Sequence, residues 1–286
     1  MTERLFVVGA GRAGRGIARA LGAAGVTVLG LHSRRDGMLD RWRISSGAWP
    51  PALAEATTIL VTVRDGQLED ALTALTAAPL ARAAVVLHAS GSADPAALPA
   101  LRAAGHPAGT FHPLVPLADE HRAAERLRGA WIGIDGDAPA RAAAVTLAER
   151  LGAHALTIPA GAKARYHAAA VFASNFPTVL AALAARLLRD AGVDRDAALA
   201  VARSLVAASA RNLGDGEPAQ ALTGPVARGD VVTVARHLAA LAADPDALAA
   251  YRALSRVAAT TLRDAHLPPD GLAAVEAVLR PGGSAP

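Results

Sequence analysis

Cysteine is absent from this 286-residue sequence, and methionine and aromatic residues are scarce. Without thiols the chain has no disulfide, no thiolate metal site, no iron–sulfur cluster and no cysteine nucleophile. The absence of cysteine fits a reducing, cytoplasmic location, which we expect for this protein, and we also expect no metal site. Hydrophobic residues make up 52% and charged residues 19%, a composition typical of folded, soluble proteins.

Lysine is almost absent, because Lys163 is the only lysine and all other basic residues are arginines. Arginine holds a fixed positive charge, whereas lysine is a compact ammonium that can transfer its proton. A lysine retained in such a sequence is therefore a candidate proton donor. The alternative is an ordinary lysine on the solvated surface.

Long runs of one charge are also missing, although the formal net charge is +4 and the pI is near 10.5. The arginines are scattered, with no basic block and no alternation of aromatic and basic residues, so we expect no nucleic-acid partner. The start of the chain lacks the layout of a signal peptide. The longest apolar run lies between Arg165 and Arg186, and its polar residues and proline favour a buried helix over a membrane span.

Short apolar segments alternate with helical, alanine-rich segments in the first half of the chain. Strands are predicted at 5–8, 27–31, 58–63, 84–89, 109–111, 131–134 and 154–158, with helices such as 14–23 and 68–77 between them. This alternation predicts an α/β, Rossmann-like, doubly wound and mostly parallel sheet. Beyond it we expect only helices, broken at 192, 214–218, 224–229 and 268–269. The predicted domains are 1–159, which binds the cofactor, and 160–280, which is helical.

A glycine-rich turn follows the first strand in "LFVVGAGRAGRGIARAL". Gly9 suits a tight turn, Gly11 leaves room for a pyrophosphate, and Gly14 permits close packing of helix on strand. The pyrophosphate would lie on free N–H groups at the helix start, beside Arg12 and Ala13. A plain glycine turn is the alternative, but the strand before it and the helix after it favour a dinucleotide site.

The end of the second strand reads "LGLHSRRDG", with no acid where an NAD-dependent enzyme places one. Ser33, Arg34 and Arg35 lie there instead, and a hydroxyl with two guanidiniums suits a 2′-phosphate. We predict NADP(H) over NAD(H). Ordinary surface arginines are the alternative.

Ligands of open α/β sheets lie at the carboxyl ends of the strands. Val63 and Ser90 follow two of these ends and are predicted to line the cofactor site. His112, in "GTFHPLVP", is either a substrate-binding or a structural histidine.

Lys163 begins the first helix of the second predicted domain, where clefts between domains form. At about 100° per residue, His167 and Ser174 share its stripe, and Asn175 joins them only if Pro177 distorts the helix. We predict Lys163 and His167 as catalytic and Ser174 and Asn175 as substrate-binding. Thr223, in "LTGPVARGD", is a further candidate for gripping a substrate carboxylate, and Asp230 reads as a helix N-cap.

The motifs together resemble predicted oxidoreductases that join a Rossmann-like NADP-binding domain to a helical C-terminal domain of unknown function. The resemblance is carried by "VVGAGRAGRGIARAL", "GTFHPLVP", "YHAAAVFASNF" and "LTGPVARGD". More distantly the chain is similar to β-hydroxyacid dehydrogenases, ketopantoate reductases, prephenate dehydrogenases and pyrroline-5-carboxylate reductases. The resemblance implies a two-domain reductase that dimerises through its helical domain.

The resemblance also implies roles for single residues. Lys163 matches the lysine that acts as general acid in β-hydroxyacid dehydrogenases and ketopantoate reductases. The asparagine that these families carry four positions later is replaced by His167, which leaves the substrate open. The Thr223 turn is similar in place to the substrate-gripping loop of pyrroline-5-carboxylate reductases, although the residues differ.

Three functions follow as hypotheses. The first is an NADPH-dependent reductase of a small oxo acid or imine, with ketopantoate as a candidate substrate. The second is an NADP(H)-binding sensor or regulatory dimer without turnover. The third is hydride exchange between NADP and a deazaflavin, for which the sequence marks no second flat cofactor site.

Overall fold

The structure is a computed structural model that describes residues 3–94, 97–214 and 216–280. The chain divides into two compact units between Phe176 and Pro177. This division falls inside a helix that runs from Lys163 to Asp190. The helix begins a few residues after the predicted domain boundary at 159–160, and the division itself lies further along the chain. The first turns of that helix pack with the sheet, and so they belong to the first unit.

In the described part of the first unit, nine strands form one sheet in the order β3-β4-β2-β1-β5-β6-β7-β8-β9. The strands are β1 Arg4–Val8, β2 Thr27–His32, β3 Gly37–Leu39, β4 Trp42–Ser45, β5 Thr58–Val61, β6 Val85–His88, β7 Ala108–Pro113, β8 Trp131–Gly136 and β9 His154–Thr157. The pairs β3–β4 and β7–β8 are antiparallel and the others are parallel. The predicted α/β, mostly parallel sheet is confirmed.

Helices connect most of the strands and then continue alone. They are α1 Arg12–Ala23, α2 Leu68–Thr76, α3 Leu98–Ala103, α4 Ala123–Leu127, α5 Ala138–Arg150, α6 Lys163–Asp190, α7 Arg195–Leu213, α8 Pro218–Ala221, α9 Val231–Ala240, α10 Pro245–Asp264 and α11 Leu272–Val278. The described residues after β9 contain helices and turns but no strand. The predicted helical C-terminal part is therefore confirmed, with one further break between α9 and α10.

The two faces of the sheet carry separate hydrophobic cores, as the alternation along β1 requires. Leu5 and Val7 pack on one face with α1, α4 and α5, and Phe6 and Val8 pack on the other with α2 and α3. The same alternation places Thr110 and His112 of β7 on the α2 and α3 face, opposite to Phe111. Polar side chains of β7 therefore lie on the face that α6 reaches.

The hairpin β3–β4 was not predicted from the sequence. Its strands are only three and four residues long, which is too short for a pattern of apolar residues to mark them as strands. The turn places Asp40 at φ 52°, a conformation that aspartate tolerates better than most residues. Asp40 accepts two hydrogen bonds from Arg19, at 2.8 and 3.0 Å, which ties the hairpin to α1.

The second unit has a core of its own, formed by side chains of α9, α10 and α11. Asp230 caps α9 by accepting a hydrogen bond from the Thr233 backbone at 3.0 Å, as predicted. Gly229 and Gly271 touch backbone to backbone, since a Cβ on Gly229 would lie 2.7 Å from the Gly271 nitrogen. This contact anchors the start of α11 beside the start of α9.

Helix α6 differs from the buried helix that its apolar sequence predicts. Only 6% of its most apolar window is buried, and the Phe172 side chain is 65% exposed. The expectation of burial is therefore wrong. Beyond the first turns of α6, no other described helix or strand covers most of its surface. By length and composition alone it is the one described helix that could cross a membrane.

Candidate functional site

The glycine-rich turn connects β1 to α1 with a distinct contact at each glycine. Gly9 has φ +113° and touches the Thr62 backbone, and a Cβ on Gly14 would lie 1.9 Å from the Gly9 oxygen. A Cβ on Gly11, by contrast, would meet nothing within 4 Å. Gly9 and Gly14 are thus required by the packing of the turn, whereas Gly11 faces open space that a ligand can enter.

The start of α1 leaves its backbone donors free. No side chain caps it at Gly11, and its first turn contains no acidic residue. Arg12 is exposed, with one long hydrogen bond of 3.5 Å to the Ala118 oxygen, and Ala13 is half-buried. An uncapped helix start beside an open glycine suits an anionic group such as a pyrophosphate.

The residues predicted to hold a 2′-phosphate follow β2 at the same edge of the sheet. The Ser33 backbone donates to the Ser45 oxygen at 2.8 Å, so β4 holds this segment in place. Arg34 and Arg35 are exposed and form no ion pair with any described residue. Both guanidiniums are therefore available to an anion.

Two further predicted cofactor residues lie beyond the next strands. Val63 is half-buried and packs against the core on the α2 face. Ser90 is buried and its hydroxyl accepts a hydrogen bond from the Ala93 backbone at 3.1 Å. This bond shapes the turn after β6 and leaves Gly91 facing the side chains of β7.

Lys163 lies at the start of α6 with its side chain buried against the sheet, and the residue is only 4% exposed. Its Nζ donates to the Thr110 hydroxyl at 2.8 Å and to the Ala93 oxygen at 2.9 Å, and it lies 2.9 Å from Asp135 Oδ2. Asp94 adds a second, exposed carboxylate at 3.5 Å. Three good acceptors thus match the three protons of the ammonium.

Thr110 and Asp135 face each other across β7 and β8, since they are direct partners in the ladder. His88, on the neighbouring strand β6, lies with Nε2 3.2 Å from the Thr110 hydroxyl. The His88 and Thr110 side chains are fully buried. Lys163 therefore docks α6 onto a polar row that crosses three strands.

A second group of side chains surrounds Gly91. Tyr166, one turn after Lys163, places its hydroxyl 2.8 Å from His112 Nδ1 and packs against Gly133. The His112 and His167 rings lie with centroids 5.7 Å apart. A Cβ on Gly91 would lie 2.5 Å from His112 Cε1 and 2.6 Å from His167 Nδ1, so only glycine fits between the two rings.

Burial sets the protonation of this site. It lowers the pKa of His112 to about 4, and repulsion from His167 acts in the same direction. Burial likewise lowers the pKa of His88 to about 3 and raises that of Tyr166 to about 12. At neutral pH the His88 and His112 imidazoles are thus uncharged and the Tyr166 phenol is protonated.

Asp135 behaves in the opposite way. Burial acts to raise its pKa, but hydrogen bonds from Thr110 and Lys163 outweigh burial and hold that pKa below its usual value. The carboxylate is therefore ionised beside the ammonium, and the pair forms a buried ion pair.

The structure brings together some of the predicted substrate residues and not others. His112, Lys163 and His167 share one region of the first unit. Ser174 lies eleven residues beyond Lys163, about 16 Å along the helix axis, and it is exposed, as is Asn175. Thr223 is exposed and lies in the second unit.

Four residues of this region were missed as site residues, namely His88, Thr110, Asp135 and Tyr166. The period of two along "GTFHP" places Thr110 on the face of His112, and Tyr166 lies three positions after Lys163 on a helix. These signals were present in the sequence. The partnership of Asp135 with Lys163 had no such signal, because it depends on the pairing of β7 with β8.

Comparison with known proteins finds a family model that matches part of the chain. Residues 130–258 match the domain of unknown function DUF2520. No curated protein matches the sequence. The resemblance drawn from the motifs is confirmed for this domain.

Solved structures confirm the fold. A Bacteroides fragilis protein assigned as an NADP oxidoreductase is 24% identical, with a TM-score of 0.68 over 90% of this chain and 97% of its own. Protein TM1727 of Thermotoga maritima is also 24% identical, with a TM-score of 0.70 over 92% of this chain and 99% of its own. A pyrroline-5-carboxylate reductase of Coxiella burnetii is 13% identical, with a TM-score of 0.58 over 94% of this chain and 99% of its own.

Proposed function

We propose that this protein is an NADPH-dependent reductase of a small oxo acid or imine. One observation carries the proposal: the open glycine turn and the histidine pair lie on the same edge of one sheet. The glycine turn follows β1 and His112 lies on β7, and these two strands are separated by β5 and β6. Three steps of about 4.8 Å put the two features about 14 Å apart, a span suited to an extended dinucleotide.

The residues of the first unit fit such a cofactor. The free N–H groups near Arg12 and Ala13 would bind the pyrophosphate, and Ser33, Arg34 and Arg35 would bind the 2′-phosphate. Val63 and Ser90 lie between these groups and the histidine pair, where the nicotinamide end would reach. When bound, this cofactor supplies the hydride, and the protein supplies binding, orientation and protons.

His112 and His167 would face the substrate across Gly91. The role of Lys163 as proton donor stays a prediction, and it requires that one of the three bonds of the ammonium break during the reaction. Its contacts favour a second role, in which Lys163 docks α6 and thereby positions Tyr166 and His167. Ser174, Asn175 and Thr223 stay predictions as substrate-binding residues.

A homodimer is part of the same proposal. Phe172 and Phe176 form an exposed, edge-to-face pair on α6. Apolar side chains grouped in this way typically mark an interface. Sedimentation velocity tests the proposal: a monomer at micromolar concentration would contradict it.

The decisive experiment is a titration with NADPH and, separately, with NADH, followed by tryptophan fluorescence. Trp42, Trp49 and Trp131 all lie in the first unit, which also contains the predicted cofactor site. Tighter binding of NADPH supports the proposal, and a panel of oxo acids and cyclic imines then tests turnover. Absence of binding to either cofactor overturns it, whereas binding without turnover on any substrate favours the sensor.

A further inference from the structure

Tyr166 makes a contact to which the sequence assigns no role. Its hydroxyl lies 2.8 Å from His112 Nδ1, with the two rings edge to face at 80°. No other described residue offers an acceptor to this hydroxyl. Because a phenol has one proton, that proton is satisfied within the protein only if His112 Nδ1 accepts it.

The direction of this bond decides the chemistry of His112. If Tyr166 donates to Nδ1, the neutral imidazole carries its own proton on Nε2. If Nδ1 donates to Tyr166, Nε2 is a bare acceptor and the phenol proton has no protein partner among the described residues. Only the first arrangement gives the phenol proton of Tyr166 an acceptor within the protein, so we favour it.

The Nε2 atom of His112 is open to a ligand. No described residue forms a hydrogen bond with this atom. His88 Nδ1 and His167 Nδ1 also lack a partner but are fully enclosed by protein atoms, whereas His112 Nε2 is not. The ring itself is held from two sides, by Tyr166 and by the close approach to Gly91. His112 therefore presents one free polar atom in a fixed direction.

The surroundings of His112 favour its uncharged form. The ring is mostly buried, with the His167 ring and the Lys163 ammonium nearby and the Asp65 carboxylate acting against them. A neutral imidazole fixed by one bond can donate only through the other nitrogen.

We propose that Tyr166 fixes His112 as the Nε2–H tautomer, so that His112 Nε2 donates a hydrogen bond to the substrate. The inference rests on the proposed reductase and narrows its substrate class. An N–H donor binds a group with a free lone pair, such as the oxygen of an oxo acid, and it repels a protonated iminium. Tyr166 is then a positioning residue, and His112 is the residue that touches the substrate.

The test is nitrogen NMR of the histidine side chains in the ligand-free protein. Long-range ¹⁵N–¹H correlations distinguish the two neutral tautomers, and His112→Gln identifies its signals among the nine histidines. We expect the Nε2–H pattern for His112 in the wild type. Tyr166→Phe should move His112 to a mixture of both tautomers. An Nδ1–H pattern in the wild type would overturn the proposal, whether or not the Tyr166 variant folds.

The chain contains a matched control. Its other tyrosine, Tyr251, makes the same contact with His237 Nδ1 at 2.8 Å, but this pair lies in the second unit and is exposed. Tyr251→Phe should change the His237 signals and leave those of His112 unchanged. A His112 signal that responds equally to both substitutions would contradict the assigned contact.

Kinetics with the best oxo acid completes the test. Tyr166→Phe should lower kcat/KM about tenfold, the effect expected for one hydrogen bond to the reacting group. His112→Gln, whose amide can donate near the Nε2 position, should retain more activity than His112→Asn, whose amide lies near Nδ1. Equal losses in both variants would overturn the role of Nε2. The tautomer is measured without cofactor, so failure of NADPH to bind would overturn the reductase and leave the tautomer result standing.

Discussion

Lys163→Met removes the positive charge that the structure places between Asp135, Thr110 and the Ala93 oxygen. The Lys163 side chain is 5% exposed and that of Asp135 23% exposed, so the substitution leaves a largely enclosed carboxylate without its cation. Removing one partner of a buried ion pair costs about 3–5 kcal/mol. Asp135 keeps some solvent and its bond with Thr110, so we expect the low end, about 3 kcal/mol.

The double variant Lys163→Met/Asp135→Asn removes both charges. We expect it to recover about 2 kcal/mol relative to Lys163→Met, because the uncompensated charge accounts for most of the loss. Urea unfolding followed by tryptophan fluorescence measures this, since all three tryptophans lie in the first unit. Arg165→Met is the control: its side chain is exposed and unpaired among the described residues, so its effect should stay within about 0.5 kcal/mol.

The result also separates the two roles of Lys163. If Lys163 acts only by docking α6, the double variant should regain turnover together with stability. If Lys163 is the proton donor, turnover should remain low in both variants. A loss below about 1 kcal/mol in Lys163→Met, or strict additivity in the double variant, would refute the buried ion pair.

The remaining predictions concern the cofactor site and pH. Gly11→Ala should weaken NADPH binding and leave stability within about 0.5 kcal/mol, since its Cβ enters open space, whereas Gly14→Ala should cost about 1–3 kcal/mol by overpacking against the Gly9 oxygen. Replacing Arg34 and Arg35 by alanine should lower NADPH affinity at least tenfold, with little change for NADH, as measured by fluorescence titration. Stability, measured by urea unfolding, should fall as the pH is lowered from 6.5 to 4, because the unfolded chain protonates His88 and His112 in this window and the folded chain does not.

Each of these predictions has a contradicting result. Equal stability losses in Gly11→Ala and Gly14→Ala would show that the turn is not packed as described. Equal loss of NADPH and NADH binding in the arginine variant would remove the 2′-phosphate site. The dependence of stability on pH should be shallower in His112→Gln than in the wild type, and an unchanged slope would exclude His112 as one of its two sources.

Local patterns in the sequence were sufficient for the main elements of the fold. The apolar runs predicted seven of the strands that the structure describes, and glycine and proline predicted four of the five breaks between the helices α6 to α11. The hairpin at Asp40 was missed, because strands of three and four residues are stabilised by their neighbours and not by their own pattern. The exposure of Phe172 was missed as well. An apolar helix that is buried by its own chain and one that is left exposed have the same pattern of apolar residues in the sequence.

The glycine turn shows what the sequence determined by itself. The roles of Gly9, Gly11 and Gly14 follow from backbone sterics over six consecutive residues, and such local geometry can be predicted from spacing alone. The surroundings of Lys163 show what only the tertiary structure decided. Its partners Ala93, Thr110 and Asp135 are 70, 53 and 28 residues away in the chain. A lone lysine could be recognised as unusual from composition. Whether its ammonium was free or held in hydrogen bonds by the protein depended on which strands became neighbours.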